Sequence, residues 1–215
     1  MPAIVAHVGV IGGGKDYRAN ELAKIGYERI DFKDALLDLA SDIAGYDVRE
    51  DYDWFKSNVV GVRRPSNRFQ EAFVFTDTRE LIGRSPEVLT GRRLLTRLGT
   101  EGMRKRDKDY WVKQFAKKAH MAFNAGKCAV SADCRFLNEV AVVAKIAVTH
   151  EFVFCDYRSE RYNPTLEHAS EKLAQALLSL GLKDGHIITQ QEFNAAAVIL
   201  GEPEPFGALV GMEAA

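Results

Sequence analysis

The sequence predicts an α/β chain built on a parallel sheet with helices on both faces, and three observations predict it. Residues 4–10 form an apolar run that breaks into Gly12-Gly13-Gly14-Lys15 and then into a helix-like segment. Further short apolar stretches, residues 127–132 and 151–155, alternate with longer stretches of helical spacing. Strands separated by helices need crossover connections and therefore pair in parallel. With 215 residues and 47% hydrophobic content, the chain can bury a core sized for one domain carrying an insertion.

The first element organises the rest. Gly9, Gly14 and Lys15 match the frame G-x-x-x-x-G-K. In that frame glycines bring backbone N–H groups up to a polyphosphate, and the lysine reaches its β- and γ-oxygens. The helix expected at residues 17–25 aims the positive end of its dipole at the anion. Gly12, Gly13, Gly14, Lys15, Asp16 and Tyr17 are therefore the candidate ATP-binding residues of a P-loop. Where the frame expects Ser or Thr to offer magnesium a hydroxyl stands Asp16, a hard oxygen ligand that suits the ion directly or through water. The plain alternative is a glycine-rich turn with a solvated lysine.

The remaining elements follow in order. Gly26 ends the first helix, and residues 27–32 read as a short strand or an extended turn. Residues 34–43 carry Ala35, Leu36, Leu39, Ala40 and Ile43 at helical spacing, with Asp31 as a candidate cap and Gly45 as the stop. From 46 to 75 the periodicity gives way to charges and aromatics. Such a stretch reads either as an insertion closing over a substrate or as a solvated excursion. Residues 78–82 and 87–98 are helical pieces, and 99–104 is a glycine-bracketed turn ending in Arg104. Residues 108–125 make an amphipathic helix with Trp111, Val112, Phe115, Ala119 and Ala122 on one face. Strand 127–132 runs into Asp133 and is followed by helix 138–146 and strand 151–155. A polar stretch at 156–168, helix 166–180, a last short strand at 186–189 and helix 191–200 complete the pattern. The expected organisation is a core of residues 1–45, 99–155 and 169–200, an acceptor-binding insertion at 46–98, a lid at 156–168 and a tail at 201–215.

Lys and Arg total 29 against 30 for Asp and Glu, so no overall basic field favours a nucleic-acid backbone, and no stable nucleic-acid partner is expected. Cys128, Cys134 and Cys155 form no C-x-x-C pair and sit among apolar residues, as reduced buried thiols do. No signal-peptide pattern opens the chain and no stretch is long enough to span a bilayer, so a cytoplasmic protein without a membrane partner is expected. The helix bearing Trp111 is apolar across a width that also suits a homodimer contact.

Phosphoryl transfer asks a protein for positioning and positive charge more than for covalent chemistry, which makes the arginines informative. Arg158 and Arg161 in the polar stretch suit a lid that supplies transition-state charge, although a solvated loop has the same pattern. Arg104 suits bidentate clamping of an acceptor phosphate, or is a surface arginine beside Lys105 and Arg106. Asp133 at a strand end fits an acid that orders magnesium, and equally a cap of the next helix. Arg135 would face the same pocket, and Lys33 and Arg79 are weaker candidates. His168, Ser170 and Glu171 lack a nucleophile elbow and read as a helix start.

Taken together, Gly14-Lys15-Asp16, Asp31-Phe32-Lys33-Asp34-Ala35-Leu36, Thr78-Arg79-Glu80-Leu81, Leu98-Gly99-Thr100-Glu101 with Arg104, Tyr110-Trp111-Val112, Asp133-Cys134-Arg135-Phe136 with Glu139, and His168 with Ser170-Glu171 occur in one order. That order resembles the phage-type deoxynucleoside monophosphate kinases over residues 4–200. The resemblance implies an adenylate-kinase-like P-loop fold. It also implies transfer of the ATP γ-phosphoryl group to a deoxynucleoside 5′-monophosphate with Mg2+, small-molecule nucleotides being the partners. By matching position, it implies that Gly13 to Asp16 hold the ATP phosphates and that Phe32, Lys33, Arg79, Arg104 and Trp111 line the acceptor side. Asp133, Arg135 and Glu139 would border the reacting centre, and Arg158 or Arg161 would be the lid arginine. Two places depart from the family pattern. Gly12 and Gly13 stand where a basic residue and a serine are common, and Tyr17 stands where threonine usually follows. An unusual acceptor, such as a modified base, is one consequence to expect. Two further readings are a kinase acting on a modified base within DNA and a nucleotide-binding module without catalysis.

Overall fold

The computed structural model describes residues 1–58, 90–157, 171–203 and 205. Within them the chain is α/β, with a four-stranded, all-parallel sheet flanked by helices. The strands are β1 (Ala3–Gly9), β2 (Glu28–Arg29), β3 (Ala129–Ser131) and β4 (Thr149–Cys155), in the order β2-β3-β1-β4. β1 pairs with β3 over Ile4 to Ala6 and with β4 along its whole length, from Ala3 opposite Thr149 to Gly9 opposite Cys155. A parallel strand is covered on both faces, which is why Ile4, Ala6, His7, Val8 and Gly9 are buried on alternating and adjacent positions alike.

The chain leaves β1 through α1 (Lys15–Lys24) towards β2 at one edge, and later crosses from β3 through a helix to β4 on the other side of β1. The carboxyl end of β1 therefore lies at a topological switch point, where open α/β sheets leave a crevice.

Two compact units divide the chain: Met1–Phe32 with Phe115–Ala215, and Lys33–Gln114. The first contains the sheet. The second holds α2 (Asp34–Ala44), α3 (Tyr52–Ser57), α4 (Gly91–Thr96), a π-helical stretch Arg97–Met103 and the short α5 (Arg104–Arg106). Its core is apolar, formed by Leu37, Ala40, Ile43, Phe55, Leu94 and Trp111 among others. Gly91 is required there, because a Cβ would lie 2.2 Å from the Phe55 carbonyl oxygen. This unit is wider than the stretch where periodicity fades, because α2 joins the packing of the residues that follow it.

Helix α6 (Tyr110–Asn124) contains the boundary between the units, and its predicted apolar face, Trp111, Val112, Phe115, Ala119 and Ala122, is buried throughout. α7 (Leu137–Ile146), α8 (Lys172–Ser179) and α9 (Gln190–Leu200) complete the first unit. α9 is capped at both ends, with Thr189 Oγ1 accepting from the Glu192 N–H at 3.3 Å and Gly201 closing the helix at φ 66°.

Some expectations change. Residues 186–189 do not add a strand: Ile187 makes one isolated antiparallel bridge to Val153, because Gly185 turns the chain back over β4. Asp31 is not the cap of α2, where Lys33 stands instead, since its carboxylate is drawn to the Ala132 N–H. Residues 99–104 are not an open turn but a π-helical winding in which the Arg104 N–H bonds the Gly99 carbonyl five residues back. The expected helix at 78–82 lies outside the described residues. No helix among the described residues is long and apolar enough to cross a membrane.

Candidate functional site

The glycine-rich loop after β1 packs against the end of β4 more tightly than any side chain allows. A Cβ on Gly9 would lie 2.0 Å from the Cys155 carbonyl oxygen, and one on Gly13 would lie 2.4 Å from it. Gly12 and Gly14 adopt φ of 77° and 82°, the left-handed region that glycine enters without steric cost. The loop closes with the Gly13 N–H donating to the Val10 carbonyl at 3.0 Å, and α1 begins at Lys15 directly after Gly14.

Lys15 is 5% exposed, and its ammonium donates to the carbonyls of Gly9 at 2.7 Å and Val10 at 2.6 Å. Burial lowers its pKa from 10.5 to about 8; the Arg135 guanidinium pushes the same way, and the Glu171 carboxylate opposes both. A buried cation held by loop carbonyls beside a second cation is an anion-seeking arrangement, because removal from water strengthens the attraction for an incoming negative charge.

Glu171 is the counter-charge of this site. It is 5% exposed; one carboxylate oxygen accepts the Ile11 N–H of the loop at 3.0 Å and the other accepts from Arg135 at 3.2 Å. Arg135 is fixed again through its backbone, whose N–H donates to the buried Glu139 at 2.7 Å, with the Phe136 N–H donating to the same oxygen at 3.2 Å. Glu139 thus caps the start of α7.

Behind the loop, the carboxyl ends of β2 and β3 are clamped reciprocally. Asp133 accepts the Phe32 N–H at 2.8 Å and the Ser131 hydroxyl at 3.2 Å, while Asp31 accepts the Ala132 N–H at 2.8 Å. Arg29 joins this clamp to the loop helix by pairing with both Asp31 and Asp16. His7, 2% exposed within β1, shares a 3.2 Å hydrogen bond with the Ser131 carbonyl, and burial holds its pKa below the ordinary imidazole value.

Of the predicted residues, the first unit contains Gly12, Gly13, Gly14, Lys15, Asp16, Tyr17, Phe32, Asp133, Arg135 and Glu139. Lys15 and Arg135 are brought together. Asp16 is exposed on the first turn of α1, and Tyr17 is 69% exposed beside it. Phe32 is buried and stacks on Phe115 at a centroid separation of 3.9 Å. The second unit contains Lys33, Arg104 and Trp111. Lys33 and Arg104 are half-buried, whereas Trp111 is deep in that unit's core with its indole N–H on the Gly99 carbonyl at 3.2 Å. Arg79, Arg158 and Arg161 lie outside the described residues, as do Thr78, His168 and Ser170. Among the described residues no three His, Cys, Asp or Glu side chains form a metal-binding group.

No protein-family model matches the chain, and no curated protein matches it.

Glu171 and Arg29 carry much of the site's charge balance, and the sequence assigned neither of them a place in the site. Glu171 begins a helix in sequence, and its contact with Ile11 spans 160 residues, so only the closed sheet discloses it. A separate cleft of about 230 Å³, lined by His150, Glu151, Phe152, Ile187 and Gln190, lies at the amino-terminal half of β4. It holds no buried charge and stands at the end of the sheet remote from Lys15.

Proposed function

We propose that the chain binds ATP at the Val10–Gly14 loop, as a P-loop fold of the nucleoside monophosphate kinase type, and transfers the γ-phosphoryl group to a deoxynucleoside 5′-monophosphate. The observation that carries this reading is Lys15: a buried ammonium at the start of a ten-residue helix, after a left-handed glycine, hydrogen-bonded to the loop carbonyls of Gly9 and Val10 and within electrostatic reach of Arg135. The order of motifs shared with the phage-type kinases supplies the acceptor class.

In this reading polyphosphate oxygens take the place of the Gly9 and Val10 carbonyls on the Lys15 ammonium, and the first-turn N–H groups of α1 receive the remaining charge. Arg135 stabilises negative charge at the transferring group, held in place by Glu171 and Glu139. Asp16, exposed beside the loop and bridged to Arg29, is the residue that would hold a magnesium ion through its carboxylate. A magnesium ion held there would supply positive charge against the phosphate oxygens. Asp133 holds the β2 and β3 ends in register through the Phe32 N–H, which makes its first role positional. Lys33 and Arg104 are the acceptor-side cations, and Arg79, Arg158 and Arg161 complete the proposed set.

Incubation with ATP, magnesium and each natural or base-modified dNMP, followed by chromatography, is expected to yield a dNDP and ADP. ATP binding with no diphosphate from any acceptor would identify a nucleotide-binding module instead. Absence of ATP binding would overturn the whole reading.

A further inference from the structure

We infer that Arg29 is a positioning residue of the phosphate loop, holding the Asp16 carboxylate out of the place a polyphosphate takes at the start of α1. The inference rests on the phosphate-loop reading and adds why the loop tolerates an acid in its first turn. Asp16 stands in the first turn of α1, where N–H groups without intrahelical partners and the helix dipole attract anions. Left free, its short side chain would turn back on those N–H groups and occupy the phosphate's place. A carboxylate at that position needs a cation to hold it aside.

Arg29 is built to do this. It belongs to β2, and its guanidinium is gripped from two sides. On the sheet side one Asp31 oxygen accepts from Arg29 Nε at 3.1 Å and from Nη2 at 2.9 Å, while the other Asp31 oxygen accepts the Ala132 N–H at 2.8 Å. On the helix side Nη2 also donates to Asp16, and Nη1 donates to Asn20. Asp16 and Asn20 are four residues apart, so they share one face of α1. The Asp31 side chain is 5% exposed and that of Arg29 27%, against 69% for Asp16, so the fixed end of the grip is the buried one. Most surface ion pairs lose their value to the entropy of ordering two long side chains. Here Asp31 and Asn20 have already ordered the arginine, and only the short Asp16 side chain remains to be held. A residue serving the strand ends alone would have no need to reach α1.

The test is a double-mutant cycle read by calorimetric titration with metal-free tripolyphosphate at low ionic strength. The four proteins are the full chain, Arg29→Gln, Asp16→Asn and the variant carrying both substitutions. Arg29→Gln removes a positive charge in either background, but it frees a carboxylate only where Asp16 is present. Its loss of affinity is therefore expected to be about threefold to fivefold greater beside Asp16 than beside the asparagine, the scale of an ion pair with one exposed member. Arg29→Lys keeps the charge without the planar fork, and a cycle built on it should show coupling of the same sign; it replaces Arg29→Gln if circular dichroism shows that variant unfolded. Equal losses in both backgrounds would overturn the inference, since Arg29 would then act through its own field or by bracing the strand ends. No loss in either background would overturn it as well. Failure of the full chain to bind tripolyphosphate would instead overturn the phosphate-loop reading beneath it.

Discussion

The two units of this chain bury different things. The sheet-containing unit encloses His7, Lys15, Asp31, Ser131, Asp133, Glu139 and Glu171, whereas among the described residues the helical unit Lys33–Gln114 encloses no polar or charged side chain. Burying a charge is unfavourable unless it is paired and hydrogen-bonded, and apolar burial carries no such condition. The helical unit is therefore packed for stability. The sheet unit holds at the carboxyl end of its strands a set of charges that a simpler core would omit, and that contrast is the strongest reason to look for function there.

If the contrast is right, substitutions in the two units separate stability from activity. The largest expected effect is on folding. Phe55 is fully buried in the helical unit, and Phe55→Ala should lower the unfolding free energy by about 3–5 kcal/mol, read from urea denaturation. A change below about 1 kcal/mol would mean that this core contributes little. Lys15→Ala should do the reverse, lowering phosphoryl transfer by about a hundredfold to a thousandfold with no loss of folded structure by circular dichroism. Retained turnover would remove Lys15 from the chemistry and erase the contrast.

A pH series sharpens the same point. The folded chain releases the Lys15 proton near pH 8, and an unfolded chain releases it near 10.5. Between those values the unfolded chain binds more protons, so the Lys15 contribution to stability rises with pH across that window; below it the charged ammonium opposes folding in full. The stability advantage of Lys15→Met over the parent chain should accordingly be greatest below about pH 8 and shrink by about 3 kcal/mol towards pH 10.5. A difference flat in pH would place the lysine in water. The smallest effect expected is from Glu171→Gln, which keeps the shape and removes the charge. It should weaken the Ile11 and Arg135 contacts at a cost of about 1.5–3 kcal/mol, read as a fall in thermal midpoint. An unchanged midpoint would show that the loop does not depend on it.

Much of this was legible beforehand because it is local. The Gly12–Lys15 turn, the helix stops at Gly26 and Gly45, and the apolar face of α6 are dictated by backbone freedom and a 3.6-residue period. The last short strand failed because an apolar run such as 186–189 reads the same whether it pairs in a ladder or touches at one bridge. Trp111 belonged to a predicted apolar face, but the indole's bond to Gly99 depends on a π-helical winding that no spacing announces.

By itself the sequence determined the alternation of strands and helices, the loop that needs glycine, and the lysine at its end, since each depends on residues within a few positions of one another. Folding alone decided that β1 lies between β3 and β4, that Glu171 reaches back to Ile11 and Arg135, and that Arg29 joins Asp16 to Asp31. Charges far apart along the chain acquire partners only when the sheet closes and water is excluded. That exclusion also takes Lys15 from an ordinary ammonium to one poised near pH 8.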